Sequence, residues 1–197
     1  MTVLNTASRV IPAALYQRER WRNGLGWTRE ILRLPEHGDW QLRLSIAEIE
    51  QDAAFSAFPG IERELVLLQG EGLRLRFDDG RVETLLPPYQ RLRFAGEAAI
   101  TGELVDGRTE DFNLMWRRDA LQAELLHRPL VGGMLFFTES DVAWAIHLLA
   151  GQAEFEGGTL PPMAAGDTAW LGAGQRQRFA LNGGGELLAI RVSRAAA

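Results

Sequence analysis

Trp40-Gln41-Leu42-Arg43-Leu44-Ser45-Ile46-Ala47-Glu48-Ile49 changes character at nearly every step. Leu42, Leu44 and Ile46 fall on one face of an extended chain and Arg43, Ser45 and Ala47 on the other, which is the period of a β-strand. The alternation returns in Leu73-Arg74-Leu75-Arg76-Phe77 and in Arg91-Leu92-Arg93-Phe94. Turn formers separate these runs: Asp78-Asp79-Gly80 and Asp106-Gly107 suit tight hairpins, and Pro87-Pro88 cannot sit inside a central strand. The best helical window, Asp119 to His127, is short. These patterns predict an all-β chain.

An internal echo divides it. Leu67-Leu68-Gln69-Gly70 returns as Leu148-Leu149-Ala150-Gly151, and Leu86-Pro87-Pro88 as Leu160-Pro161-Pro162, with the elements in the same order in both halves. Two related β halves meeting near Leu126 to Gly133 are the expected organisation. In the second half, Gly166-Asp167 reads as a turn opening a strand toward Trp170, and Gln177 to Asn182 as a segment leading through Gly183-Gly184-Gly185 to a last strand, Glu186 to Val192.

Composition excludes much chemistry. All 21 basic residues are arginine; lysine and cysteine are absent, and the histidines are His37, His127 and His147. Thiol nucleophiles, disulfides, Schiff-base lysines and the P-loop lysine are thereby removed. A metal site needs several histidines and carboxylates converging, and each histidine here reads as structural or surface, so no metal or other cofactor is expected. No serine elbow supports a serine triad. A formal net charge of −5 gives no basic footprint for nucleic acid. No window approaches the roughly 18 consecutive apolar residues of a membrane span, and the start lacks a secretory pattern, so a cytoplasmic protein is expected.

Three stretches can carry polar chemistry. Trp21-Arg22-Asn23-Gly24-Leu25-Gly26-Trp27-Thr28-Arg29-Glu30 is a glycine-punctuated turn running into a strand and supplies Asn23, Thr28, Arg29 and Glu30. The polar face of the opening stretch offers Arg43 and Ser45 above the small Ala47, a guanidinium fork beside a hydroxyl with room for a ligand. Arg74 and Arg76 alternate in the same way and read as solvent-facing. In Asp111-Phe112-Asn113-Leu114-Met115-Trp116-Arg117, Asp111 and Asn113 share one face, backed by Phe112, Leu114 and Trp116 on the other, and Arg117 follows.

These motifs, together with Phe55-Ser56-Ala57-Phe58-Pro59-Gly60-Ile61-Glu62-Arg63 and Leu68-Gln69-Gly70-Glu71-Gly72, resemble the HutD/Ves family. The resemblance implies two cupin-like β-barrel or jelly-roll domains in one chain, a bicupin, here 1–128 and 129–197. It also implies a non-essential modulator of bacterial histidine utilisation with no established reaction. Asn23, Thr28, Arg29, Arg43, Ser45, Arg63, Asn113 and Arg117 are the ligand-binding candidates. Glu30 and Asp111 are the candidate general bases. The expected partner is a small carboxylate such as urocanate, formylglutamate or formiminoglutamate, with a homodimer left open. A metal-free enzyme on the same ligand and a protein-protein interaction module are the alternatives.

Overall fold

The computed structural model describes residues 2–195. Among them the chain forms β1 (Arg9–Ile11), β2 (Gln17–Arg20), β3 (Gly26–Leu34), β4 (Leu42–Ile49), β5 (Ala53–Ala54), β6 (Ile61–Gln69), β7 (Leu73–Phe77) and β8 (Val82–Leu85). It continues with β9 (Arg91–Ala95), β10 (Ile100–Leu104), β11 (Thr109–Arg117), β12 (Leu121–Thr138), β13 (Val142–Phe155), β14 (Met163–Ala164), β15 (Thr168–Leu171) and β16 (Gln177–Arg194). The helical content of the described residues is two short 3-10 turns, Ala13–Leu15 and Glu156–Gly158. The all-β class is therefore observed, and among the described residues no helix is long and apolar enough to cross a membrane.

The chain divides into two compact units. One runs from Gln17 to Asp119; the other joins the chain up to Tyr16 with the chain from Ala120 onward. The expected boundary between 128 and 129 is displaced because Leu121 to Thr138 is one strand, paired along its whole length with β16. The start of the chain belongs with its end because β1 pairs antiparallel with β15, Arg9 opposite Trp170.

In the Gln17–Asp119 unit, a six-stranded sheet of order β2-β3-β4-β11-β6-β9 accompanies a four-stranded sheet of order β5-β10-β7-β8. Ala47, Ile49, Leu65 and Leu67 of the larger sheet pack with Leu73, Leu75, Phe77 and Ile100 of the smaller in one apolar core. Arg74 and Arg76 are exposed, as their alternation predicts. Gly80 and Gly107 adopt positive φ at the expected hairpins.

The other unit holds a sheet of order β1-β15-β13-β16-β12, with β14 added to β13. Its core includes Phe136, Ile146, Leu148, Phe155, Phe179 and Leu181. None of the three sheets closes on itself along the described strands. Two local expectations are corrected in this unit. Asp119 to His127 is a turn and then strand: Leu121, Ala123 and Leu125 are buried while Gln122 and Glu124 are exposed, and pairing with β16 overrides the helical tendency. Gly183-Gly184-Gly185 does not interrupt β16 but lies within it. A Cβ at Gly185, where φ is +137°, would run into the carbonyl oxygen of Ala150, so glycine is what lets β16 pass the β13 bulge between Leu148 and Ala150.

Candidate functional site

The larger sheet of the Gln17–Asp119 unit is polar at one end of its inner face. Register puts its side chains in rows across adjacent strands. Arg43, Met115 and Arg63 lie side by side; then Ser45, Asn113 and Leu65; then Ala47, Asp111 and Leu67. Glu30 extends the second row and Thr28 the third. Two-residue alternation explains the arrangement: odd-numbered β4 and β11 positions face inward, while Leu44, Ile46, Phe112 and Leu114 are buried on the opposite face.

These rows floor a cavity of about 480 Å³, within the range of small-molecule sites. Of the ten expected site residues, Asn23, Thr28, Arg43, Ser45, Arg63, Asp111 and Asn113 line it. Three do not. Glu30 accepts a 2.7 Å bond from Arg43 Nε and so positions that guanidinium. Arg29 lies on the opposite sheet face, level with Ile46, ion-paired to Glu48 at 2.8 Å and Glu110 at 2.6 Å. Arg117, at the strand end, forks onto Asp119 at 3.2 and 2.9 Å.

The other walls come from segments that alternation does not organise. The β2–β3 turn contributes Trp21 and Arg22 beside Asn23. Trp21 Nε1 donates to Thr28 Oγ1 at 2.9 Å, and Asn23 Oδ1 accepts from the Leu25 amide at 3.0 Å, so the turn is fixed by its own side chains. Phe55 and Phe58, between β5 and β6, close the opposite side. Phe55 rests over Gly102, where a Cβ would stand 2.8 Å from its ring. Met115, Phe55 and Phe58 were missed as lining residues. Met115 shares the face of Asp111 and Asn113 by spacing alone, whereas the two phenylalanines are brought in by long-range pairing of β5 with β10.

Arg63 is 6% exposed, and its guanidinium carbon lies 5.2, 5.4 and 5.6 Å from the ring centroids of Phe94, Phe55 and Phe58. Its Nη1 donates a long 3.4 Å bond to the Ser56 carbonyl, and its Nε has no partner. Burial and then the neighbouring Arg43 charge draw its pKa down to about 10, so it remains a cation at neutral pH. Asp111 is fully buried; Thr109 Oγ1 donates to its Oδ2 at 2.9 Å, while Oδ1 is unpartnered. Burial pushes its pKa up to about 7, against the lowering effect of the Thr109 bond. Asn113 Oδ1 is likewise buried and unpartnered. Unsatisfied buried polar atoms are uncommon and costly, and here three of them belong to residues of one cavity.

No histidine lines the cavity. His147 is buried in the other unit, where its Nδ1 lies 2.9 Å from Thr168 Oγ1; His127 is 3.4 Å from Glu186 on the surface, and His37 is in an exposed bend. Among the described residues no three His, Asp or Glu side chains are grouped to hold a metal ion.

The HutD family model matches residues 13–189. The chain belongs to the HutD family. Protein Ves of Cronobacter sakazakii is 33% identical over 174 residues, 88% of this chain and 92% of that protein. A Pseudomonas putida relative, named an uncharacterized 21.2 kDa protein in the hutC 3' region, is 39% identical over 112 residues, which span 56% of this chain and only 58% of that protein. The structure of HutD from Pseudomonas fluorescens SBW25 superposes with a TM-score of 0.82 at 28% identity, covering 96% of this chain and all of the other. The HutD fold is cupin-like: a nickel-bound bacterial pirin from Escherichia coli superposes with a TM-score of 0.70 at 10% identity, over 96% of this chain and 100% of the pirin.

Proposed function

We propose that this HutD-family chain is a metal-independent binding protein whose cavity takes a small carboxylate of histidine breakdown, of the urocanate, formylglutamate or formiminoglutamate type, and thereby modulates histidine utilisation. The observation that carries this reading is Arg63. Its guanidinium is buried beside Arg43 with Nε unpartnered and, among the described residues, no carboxylate ion-paired to it, so a carboxylate is the group that would balance its charge. The hut-region name of the P. putida relative supplies the metabolic context by analogy. The same comparisons support reading each unit as a cupin-type jelly roll and the chain as a bicupin.

Titration calorimetry of the purified protein with each of the three compounds tests the proposal. Binding of at least one at sub-millimolar concentration is expected, weakened at least tenfold by Arg63→Met. No heat and no thermal shift from any of them at millimolar concentration overturns it.

Asp111 favours a second reading. A carboxylate titrating near neutrality in a cavity suits a general base, so a metal-free reaction on the bound carboxylate is the alternative. Product formation abolished by Asp111→Asn supports it, and intact ligand after prolonged incubation removes it.

A further inference from the structure

β12 ends its sheet, paired on one side with β16 and, among the described residues, with no strand on the other. The opposite end of that sheet is the three-residue β1, so β12 is much the longer edge. From Pro129 to Thr138 it bears no charged residue. Val131, Leu135 and Phe137 are 88%, 51% and 42% exposed on its outer face, while Leu130 and Phe136 are buried on the inner one. Gly132 bends the strand at positive φ without breaking its register with β16, and a Cβ there would meet nothing. Chains that stay single blunt such an edge with charges, register-shifting bulges or brevity, and this stretch has none of the three. We propose that it is the interface of a symmetric homodimer, in which β12 pairs antiparallel with β12 of a second copy about a two-fold axis at Gly133. Nothing in this depends on what the cavity binds.

Hydrogen bonding selects the register. Peptide groups alternate in direction along a strand as side chains alternate in face, so Pro129, Val131, Gly133, Leu135 and Phe137 turn theirs the same way. Pro129 has no N–H, which suits a position whose N–H would look away from the sheet, and the Phe137 carbonyl accepts from Trp144 Nε1 at 2.9 Å. Both mark these residues as facing the free edge. With Gly133 opposite Gly133, Pro129 lies opposite Phe137 of the second copy, and the carbonyl that proline could not serve is the one that Trp144 already serves. The same register sets Val131 beside Leu135 on the outer face and Leu130 beside Phe136 on the inner, apolar against apolar in both layers. It also brings the basic end of the edge, His127 and Arg128, against the acidic end, Glu139 and Asp141, all four exposed. His127 stands 3.4 Å from Glu186 of its own chain, so Arg128 carries most of that attraction. This complementarity offsets locally the repulsion between chains of net charge −5. Because one edge serves both copies, the contact closes at two.

The chain has no cysteine, so cross-linking can read the register. Val131→Cys and Leu135→Cys proteins, each altered at an exposed site, are mixed and oxidised. Directly opposed residues have Cα atoms about 5.5 Å apart, within disulfide reach, whereas two copies of position 131 are offset by four residues, about 13 Å along the strand. A disulfide-linked dimer is expected from the mixture and from neither protein alone. Sedimentation velocity of the unsubstituted protein, from about 1 to about 100 μM, is expected to show a monomer–dimer equilibrium. Leu135→Lys, which sets a charge against Val131 of the second copy, is expected to weaken it by about tenfold or more while leaving the circular dichroism spectrum unchanged. A monomer throughout that range, oligomers growing beyond two, a dimer indifferent to Leu135→Lys, no cross-link in the mixture, or cross-linking as strong in the separate proteins each overturns the proposal.

Discussion

Asp111 sets a pH dependence that can be measured without knowing the ligand. Its folded pKa, raised from 3.8 to about 7, exceeds the unfolded value, so between those pH values the folded state holds the proton and the unfolded state does not. Stability is therefore greatest below about pH 4 as far as this group is concerned, falls as pH rises, and levels off above about 7. The fall is at most about 4 kcal/mol, at about 1.4 kcal/mol per pKa unit. Urea denaturation at pH 5 and pH 8 should show a marked loss for the parent protein and a much flatter response for Asp111→Asn. Arg63 makes the complementary case. Removing one buried, unpaired charge also removes its desolvation cost, so Arg63→Met should leave stability unchanged or raise it by about 1–3 kcal/mol even as carboxylate binding is lost. An equal loss of stability and binding would mark Arg63 as a structural residue.

The strands show which parts of the site were legible. Alternation alone groups Arg43 with Ser45 and Asp111 with Asn113, because a period of two fixes which side chains share a side; the pairing of β4 with β11 brings the two groups together. Arg29 follows the same rule: it alternates with Thr28 and Glu30 and so turns to the other face, the β3 bulge falling beyond it, between Glu30 and Leu32. Phe55 and Phe58 are out of reach of alternation: the bare surface of Gly102 seats Phe55, the Gly96 carbonyl accepts from the Phe58 amide, and neither contact carries periodicity. β16 carries a sharper prediction. Its triple glycine resembles a turn but serves a close crossing, so Gly185→Ala, at positive φ and against the Ala150 carbonyl, should cost about 2–4 kcal/mol. A melting temperature within a few degrees of the parent would contradict that account.

Across the whole molecule, the all-β class follows from alternation and turn spacing, but the limits of the two compact units do not. Pairing of Arg9 with Trp170 spans most of the chain, and no local pattern announces it. The same segment supplies Thr6 Oγ1 to Trp170 Nε1 at 2.8 Å, Ser8 Oγ to the Gly172 amide at 3.0 Å, and Tyr16 Oη, 2.7 Å from Thr168 Oγ1. A chain lacking residues 1–16 should therefore expose the β15 edge and the fully buried Trp170. The expected result is faster proteolysis within 120–195 than in the intact protein, with loss of the near-ultraviolet signal of packed Trp170. Unaltered cleavage in that region would show that the segment is dispensable.

The turn that carries Trp21 offers one more consequence. Of the six tryptophans in the sequence, Trp21 is the one in the cavity wall, its indole tethered to Thr28 and partly covered. An arriving solute would displace water from that ring and alter the field around it. The protein thus carries a built-in fluorophore for occupancy: emission should shift or quench on loading, and Trp21→Phe should silence that change, giving a label-free screen of metabolite libraries.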